Sequence, residues 1–200
     1  DYFDECQPPL PVTPLLQDGE SNEWFVYLTA PLAGMVGHFQ HDAPDLVPTF
    51  ADIPNLMAAV AAHPEAQDGY DLLHVSRAGQ FPAAEPPLDT AVRQAAMRQL
   101  QEQAEQGGDE EIRQRLHLAW FNLVAENEAA QWLLPYLNDE DMYVQERAIE
   151  LVGRHNCRAA REKLQMLQTT ALPNGQTAAK RVLAEWRKQE SGGGSSFQSA

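Results

Sequence analysis

The chain has 200 residues, of which 44% are hydrophobic and 22% are charged, and it carries a formal net charge of −15. This composition is typical of a globular chain, and the sequence has no run of about 18 apolar residues that would span a membrane. The acidity argues against nucleic-acid binding, because a strongly negative surface repels the phosphate backbone.

The negative charge is unevenly distributed along the chain. Residues 1–86 contain 13 acidic side chains and one basic side chain, Arg77, whereas residues 87–200 contain 16 acidic and 13 basic side chains. We expect the acidic part to attract a basic protein partner. The alternative is that the acidity only keeps the protein in solution.

The start of the chain and its two cysteines bear on the compartment. The first residue is Asp1 rather than Met, so the chain is either an exported or periplasmic protein whose signal peptide has been removed, or a cytoplasmic protein. Cys6 and Cys157 either form a single disulfide, as in exported proteins, or are free thiols.

The N-terminal part combines extended and mixed signals. Residues 1–22, with the run PPLPVTP, predict an extended, proline-rich arm, because proline fixes φ and biases its predecessor toward extended backbone. Residues 23–86 form an acidic segment in which Glu23–Ala30 and Tyr70–Arg77 are predicted strands. These two strands and a helix within Phe50–Pro64 together predict a small α/β unit. Leu32–Phe39 fits either a further part of this unit or a helix.

A helix is predicted within Phe50–Pro64. Asp52 is a suitable N-cap, since its carboxylate can accept hydrogen bonds from the first free N–H groups. Pro54 fits the first turn, and Pro64 ends the helix because proline cannot continue it.

Residues 87–190 have helical periodicity throughout, after a proline-rich boundary. Apolar spacing predicts six helices with short turns, in three pairs: Asp89–Glu105, Glu110–Glu126, Ala129–Leu137, Met142–Arg154, Arg158–Leu167 and Gln176–Lys188. In the first two helices the predicted inward positions include Val92, Leu116, Ala119 and Trp120. Residues 191–200, rich in Gly and Ser, are predicted to be a flexible tail.

The second helices of the three pairs align with one another. The segments EIRQRLHLAW, YVQERAIELV and QTAAKRVLAE begin at Glu111, Tyr143 and Gln176, with offsets of 32 and 33 residues. The alignment brings Arg115, Arg147 and Lys180 into one column. Because packed helices lie about 8–10 Å apart, this column predicts a ladder of cations. The ladder either binds a carboxylate-bearing partner or forms salt bridges within the chain.

The middle of this region, LLPYLNDEDMYVQERAIELVG, resembles the HEAT-type repeat, especially its short PBS-lyase-like form. The matching residues are Leu134, Leu137, Asn138, Asp139, Val144, Ala148, Leu151 and Gly153. The family usually has Arg directly after the Val, where this chain has Gln145. The resemblance covers about residues 88–190 and implies a mainly α fold, an αα-superhelix of about three helix pairs that holds a protein partner on its second helices.

The acidic turn Asp139-Glu140-Asp141 has a structural interpretation. Asp139 and Asp141 precede a helix, where free N–H groups need acceptors. The turn lacks the glycine and the twelve-residue spacing of an EF-hand. The sequence therefore predicts helix capping here.

The best metal candidate lies in GHFQHDAPD. His38 and His41 at i, i+3 share a helical face, and Asp42 adds an oxygen ligand. A zinc site needs a further fixed ligand, so exposed histidines are the alternative.

No catalytic motif or cofactor signature was found, so no cofactor and no enzyme activity are expected. The sequence favours a non-enzymatic scaffold or adaptor, in a specific version a bacterial exported immunity- or inhibitor-type protein that binds a basic partner. The expected partner-binding residues, with His117 and Tyr143 facing outward, are Arg115, His117, Tyr143, Arg147 and Lys180. The alternative is a metal-binding or enzymatic module in residues 20–86, docked through the repeats. The resemblance alone also implies a chromophore- or cofactor-lyase-like role.

Overall fold

The structure is a computed structural model that describes residues 8–17, 22–40 and 46–192. This part of the chain is mainly helical and has a small antiparallel sheet near its N-terminal end, which confirms the predicted mainly α class. The described residues up to Ala125 form one compact unit, and those from Glu126 onward form a second. Residues 90–121, assigned to the repeat region from the sequence, belong to the first unit.

Four strands form an antiparallel sheet in the order β1-β2-β3-β4. They are Val12–Gln17 (β1), Glu23–Tyr27 (β2), Val36–Phe39 (β3) and Pro48–Phe50 (β4). The predicted strand at Glu23–Ala30 is confirmed over Glu23–Tyr27, as β2. Leu32–Phe39 contains β3 and is not a helix. β1 lies within the predicted proline-rich arm, so the sheet includes part of that arm. Pro14 is tolerated there because β1 is an edge strand, where a missing N–H costs no hydrogen bond.

Helix α1, Ile53–Ala62, follows β4 directly. The Asp52 carboxylate accepts a hydrogen bond from the Asn55 N–H at 2.8 Å, and Pro54 lies in the first turn. The helix ends at its C-cap His63, one residue before Pro64. The predicted helix and its cap are confirmed.

The predicted strand at Tyr70–Arg77 is wrong, and with it the strand–helix–strand unit. Residues Gly69–Val75 form a second helix, α2. The Asp68 carboxylate accepts a hydrogen bond from the Asp71 N–H at 2.8 Å, and this cap outweighs the weak strand propensity of Tyr and Val.

The sheet and the first two helices share an apolar core. It contains six buried residues, Trp24, Val36, Phe50, Leu56, Ala59 and Leu72. Burial of such side chains contributes about 1.5–3 kcal/mol each for the larger ones. This core fixes α1 and α2 on the sheet.

Helices α3 (Thr90–Gln106) and α4 (Glu110–Phe121) complete the first unit. Of the inward positions predicted here, Leu116, Ala119 and Trp120 are buried, whereas Val92 is 58% exposed. The second helix of the pair ends at Phe121, earlier than predicted from the sequence.

Two buried polar side chains tie this helix pair into the first unit. The Arg93 guanidinium is 2% exposed and donates to the Leu123 carbonyl at 3.1 Å. The Asn122 amide donates to the carbonyl of Pro48 in β4. Buried hydrogen bonds of this kind are costly to break, because both groups then lose their partner away from water.

The second unit contains four α-helices and three 3₁₀ segments among its described residues. They are Glu126–Glu128 (3₁₀), Ala129–Leu133 (α5), Leu134–Asn138 (3₁₀), Met142–Arg154 (α6), Arg158–Ala160 (3₁₀), Arg161–Thr170 (α7) and Pro173–Gly192 (α8). The predicted bounds of α6 are confirmed. Over the described ranges, no helix combines the length and apolar character needed to span a membrane.

The acidic turn before α6 caps the helix, as predicted. The Asp141 carboxylate accepts hydrogen bonds from the N–H groups of Tyr143 at 2.9 Å and Val144 at 3.1 Å. The Asp139 carboxylate accepts one from the Asp141 N–H at 2.9 Å. These carboxylates accept hydrogen bonds from backbone N–H groups at the start of α6 that have no partner within the helix.

Gln145, the departure from the HEAT-type pattern, is a buried bridge between two turns. Its side chain donates to the carbonyls of Leu137 and Asp139, both at 3.3 Å, and accepts a hydrogen bond from the Leu172 N–H at 2.9 Å. It is 4% exposed. The residue therefore connects the turn before α6 to the turn before α8.

We predict that Gln145→Met lowers the free energy of unfolding by about 1–3 kcal/mol, because three backbone groups, of which the Leu137 carbonyl is buried, lose a partner while the side-chain volume is kept. Urea denaturation followed by far-UV circular dichroism measures this change. The exposed Gln165 on α7 provides the matched control, and Gln165→Met should change stability by less than about 0.5 kcal/mol. Equal effects of the two substitutions would contradict the bridging role.

Candidate functional site

Helix α1 exposes an apolar surface. Its sequence, IPNLMAAVAA, has no charged side chain. Ile53, Met57 and Val60, at i, i+4 and i+7, are 39%, 51% and 40% exposed. We call these three residues the apolar stripe. A helix that is apolar on all sides is normally buried, so this exposure is unusual for a helix at a protein surface.

A cavity of about 170 Å³ adjoins the apolar stripe within the first unit. Its lining residues come from β2, α1, α2 and the loop between these helices: Trp24, Val60, His63, Ala66, Gln67, Asp68, Gly69 and Leu72. We call it the Trp24 cavity. Val60 belongs to both the apolar stripe and the cavity wall, so the two features form one continuous surface.

Close packing of aromatic rings and a glycine shapes the Trp24 cavity. The ring centroids of Trp24 and His38, from adjacent strands, are 4.5 Å apart. Gly69 lies against both rings: a Cβ atom there would meet the His38 Nε2 atom and approach the Trp24 Nε1 atom to 2.9 Å. Glycine at this position therefore permits the close approach of α2 to the sheet.

Acidic groups lie in the loop that lines the Trp24 cavity. The Asp68 carboxylate is held in place by its hydrogen bond from the Asp71 N–H, and the Asp71 carboxylate accepts one from the Gln67 N–H at 3.2 Å. The His63 Nδ1 atom lies 2.9 Å from a Glu65 carboxylate oxygen. This hydrogen bond is the main cause that lowers the pKa of the exposed Glu65 carboxyl.

The structure separates the residues of the predicted cation ladder between the two units. Arg115 on α4 pairs with Glu111 one turn earlier, as the structural interpretation of the ladder predicts. In the second unit Arg147 pairs with Glu150 at 3.5 Å. Burial lowers the pKa of Arg147, and the Glu150 charge partly opposes this shift.

The second cation that pairs with Glu150 is Arg181, which follows the predicted Lys180 in the sequence. Arg181, rather than Lys180, donates to the Glu150 carboxylate, while Lys180 is exposed. Tyr143 faces outward, as expected, and is 52% exposed. The predicted role of Lys180 and Tyr143 in partner binding stays a prediction.

The outward orientation predicted for His117 is wrong. Its side chain is 7% exposed, and its Nδ1 atom accepts a hydrogen bond from the Trp120 indole N–H at 3.2 Å. Position 117 lies next to the buried Leu116 on α4, and the aromatic contact with Phe121 adds to its burial. His117 is a packing residue of α4.

The predicted metal site lies mostly outside the described residues. His38 is in β3, is 7% exposed and packs against Trp24 with the two rings tilted, whereas His41 and Asp42 are not among the residues described. Cys6 also lies outside them, so the alternatives for its pairing with Cys157 stay open. Within residues 8–17, 22–40 and 46–192, no group of three potential ligands is placed to hold a metal ion.

Sequence reasoning missed the apolar stripe and the Trp24 cavity. The signal for the stripe was present, since the ten residues of α1 contain no Asp, Glu, Lys or Arg. Apolar periodicity did not indicate which apolar residues of α1 are buried, because the surface that α1 packs on is a sheet whose strands come from other parts of the sequence. No local pattern indicated that Trp24 and Asp68 line one cavity.

Comparisons with family models, curated proteins and solved structures found no match to this chain.

We predict that Gly69→Ala destabilises the protein by about 1–3 kcal/mol, because the added methyl group meets the His38 and Trp24 rings. Alanine in a helix is normally more favourable than glycine by about 0.5–1 kcal/mol, so the sign of the change is the test. Urea denaturation followed by tryptophan fluorescence measures it. Gly108 is the control, because an added Cβ atom there would have open space around it. A neutral or stabilising effect of Gly69→Ala would contradict this packing.

We predict that His63→Ala raises the pKa of Glu65 toward its ordinary value of 4.5. Because the pKa of Glu65 is lowered in the folded state, the contact favours folding above pH 4.5 and loses this effect as the pH falls through the folded-state pKa. Carbon-13 NMR of the Glu65 carboxyl measures the shift. His74→Ala serves as the control, since His74 contacts Tyr70 instead; an unchanged Glu65 pKa in His63→Ala would refute the assignment.

Proposed function

We propose that this protein is a non-enzymatic interaction protein whose first unit binds a basic protein partner. The observation that carries this proposal is the apolar stripe of α1. Exposed apolar side chains grouped on one side of a helix commonly mark interaction sites. The partner covers Ile53, Met57 and Val60 with apolar side chains of its own.

The spacing of the stripe suggests the mode of binding. Anchors at i, i+4 and i+7 are typical of a helix that lies in an apolar groove. Such anchors contribute most of the binding energy when they are fully removed from water. Met57 lies between the other two along the chain and is the most exposed of the three, so it is the expected central anchor.

The charge of the chain supports a basic partner. Of residues 1–86, Arg77 alone is basic, against 13 acidic side chains. Asp52, Glu65 and Asp68 flank α1 in sequence. The described residues of the second unit, 126–192, in contrast contain nine basic and ten acidic side chains. A basic partner is therefore steered toward the acidic part of the chain, faster at low salt than at high salt.

For the second unit we propose a HEAT-like stack of helix pairs. Support comes from the capped acidic turn before α6 and from the packing of α6 against α8, where Gly153 lies against Val182. Helix pairs of this kind share a core by stacking. The exposed Tyr143 and Lys180 make the second-helix surface a second candidate contact, and an exported immunity- or inhibitor-type protein is one form that the proposed binder takes.

Photo-crosslinking tests the proposed surface directly. Met57 is replaced by a photoreactive amino acid, and Met166 on α7, which is 55% exposed, is replaced in parallel as the control. Irradiation in extract of the source cells should crosslink a basic protein at position 57 and not at position 166, with a lower yield at high salt because screening weakens the attraction.

Binding of the purified crosslinked protein then measures the contribution of the stripe. We expect Met57→Glu to weaken binding at least about ten-fold, because a charge is placed in an apolar contact. Met166→Glu should leave binding within about two-fold of the original chain. Equal affinities of the two variants, or crosslinks shared by both positions, would rule out the apolar stripe as the binding surface.

A further inference from the structure

We infer that the Trp24 cavity binds one basic side chain, a lysine or an arginine, presented by the partner. This inference rests on the proposed function, because Val60 joins the cavity to the apolar stripe. A partner that covers the stripe therefore places its neighbouring side chains at the cavity mouth.

The size of the cavity fits one side chain. Its volume is about 170 Å³, whereas sites for small-molecule ligands and cofactors are commonly about 300–1,000 Å³. The space is therefore smaller than such sites and comparable to one side chain.

The lining matches the two parts of a lysine or arginine side chain. Val60, Ala66 and Leu72 provide apolar walls for the methylene stem, which is itself apolar. The Trp24 indole adds a further apolar wall for the stem. The Asp68 carboxylate provides a negative acceptor for the charged end of the side chain.

Asp68 is suited to this role by its fixed position. Its Oδ1 atom accepts the Asp71 N–H at 2.8 Å, which holds the carboxylate at the start of α2. Across the described ranges, the other oxygen of Asp68 accepts no hydrogen bond. An acceptor held in place before binding loses little conformational freedom when the ligand arrives.

The charge of the surroundings selects a cation over an anion. The lining residues include one carboxylate, from Asp68, and no Lys or Arg. Glu65 lies next to the lining residue Ala66 and pairs with His63 of the cavity wall. An anionic group in this cavity would be repelled, and a neutral apolar side chain would give the second oxygen of the Asp68 carboxylate no hydrogen bond.

The test uses small probes with the intact chain. Nα-acetyl-lysine methylamide, Nα-acetyl-arginine methylamide and the uncharged Nα-acetyl-norleucine methylamide are titrated into nitrogen-15-labelled protein, and the Trp24 indole N–H signal is assigned with a Trp24→Phe variant. We expect the Trp24 signal to shift to saturation with at least one basic probe. The norleucine probe should bind about ten-fold more weakly.

Two matched variants identify the charged acceptor. Asp68→Asn keeps a good helix N-cap while it removes the charge, and it should weaken binding of the basic probe about ten-fold. Asp89→Asn removes the same charge from the exposed N-cap of α3 and should have no effect. Circular dichroism confirms that both variants are folded.

The outcomes separate this inference from the proposed function. No shift of the Trp24 signal, equal binding of the norleucine probe, or equal effects of the two Asp→Asn variants would overturn the cavity assignment. A partner whose binding depends on Met57 but not on Asp68 would leave the proposed function standing without the basic side chain. Probe binding at Trp24 together with partner binding that is insensitive to Met57 would support the cavity assignment and contradict the apolar stripe as the binding surface.

Discussion

The first unit depends on the apolar core between its sheet and α1. Trp24 and Phe50 come from strands β2 and β4, and they bury Leu56 and Ala59 of the helix. A helix has 3.6 residues per turn, so burying these two positions directs Ile53, Met57 and Val60 to another side. Because all of these residues are apolar, the core that stabilises α1 also leaves an apolar surface uncovered.

The same core creates the cavity beside that surface. Leu72 of α2 and Trp24 belong to the core and also line the cavity. Gly69 lets α2 approach the sheet closely, so that Asp68 and Trp24 line one cavity. An apolar stripe, an aromatic wall and a fixed carboxylate therefore occur on one continuous surface, where they suit a partner that has both apolar and basic side chains.

Local signals in the sequence predicted much of the helical structure. The caps at Asp52, Asp89 and Asp141 were correct, because a capping carboxylate acts on N–H groups only two or three residues away. The sheet was beyond such signals, since antiparallel pairing joins distant segments. Tyr70–Arg77 was mistaken for a strand because the cap at Asp68 was overlooked. The exposure of Met57 depends on which side of α1 the sheet covers, which no local pattern records.

Amide hydrogen exchange of the chain with and without its purified basic partner tests the central claim most directly. Complex formation should slow exchange in the second half of α1 and in the loop that leads to α2, residues 57–69, because the partner covers both the apolar stripe and the cavity mouth. Slower exchange confined to residues 142–192, with residues 57–69 unchanged, would contradict the account and place the binding surface in the second unit.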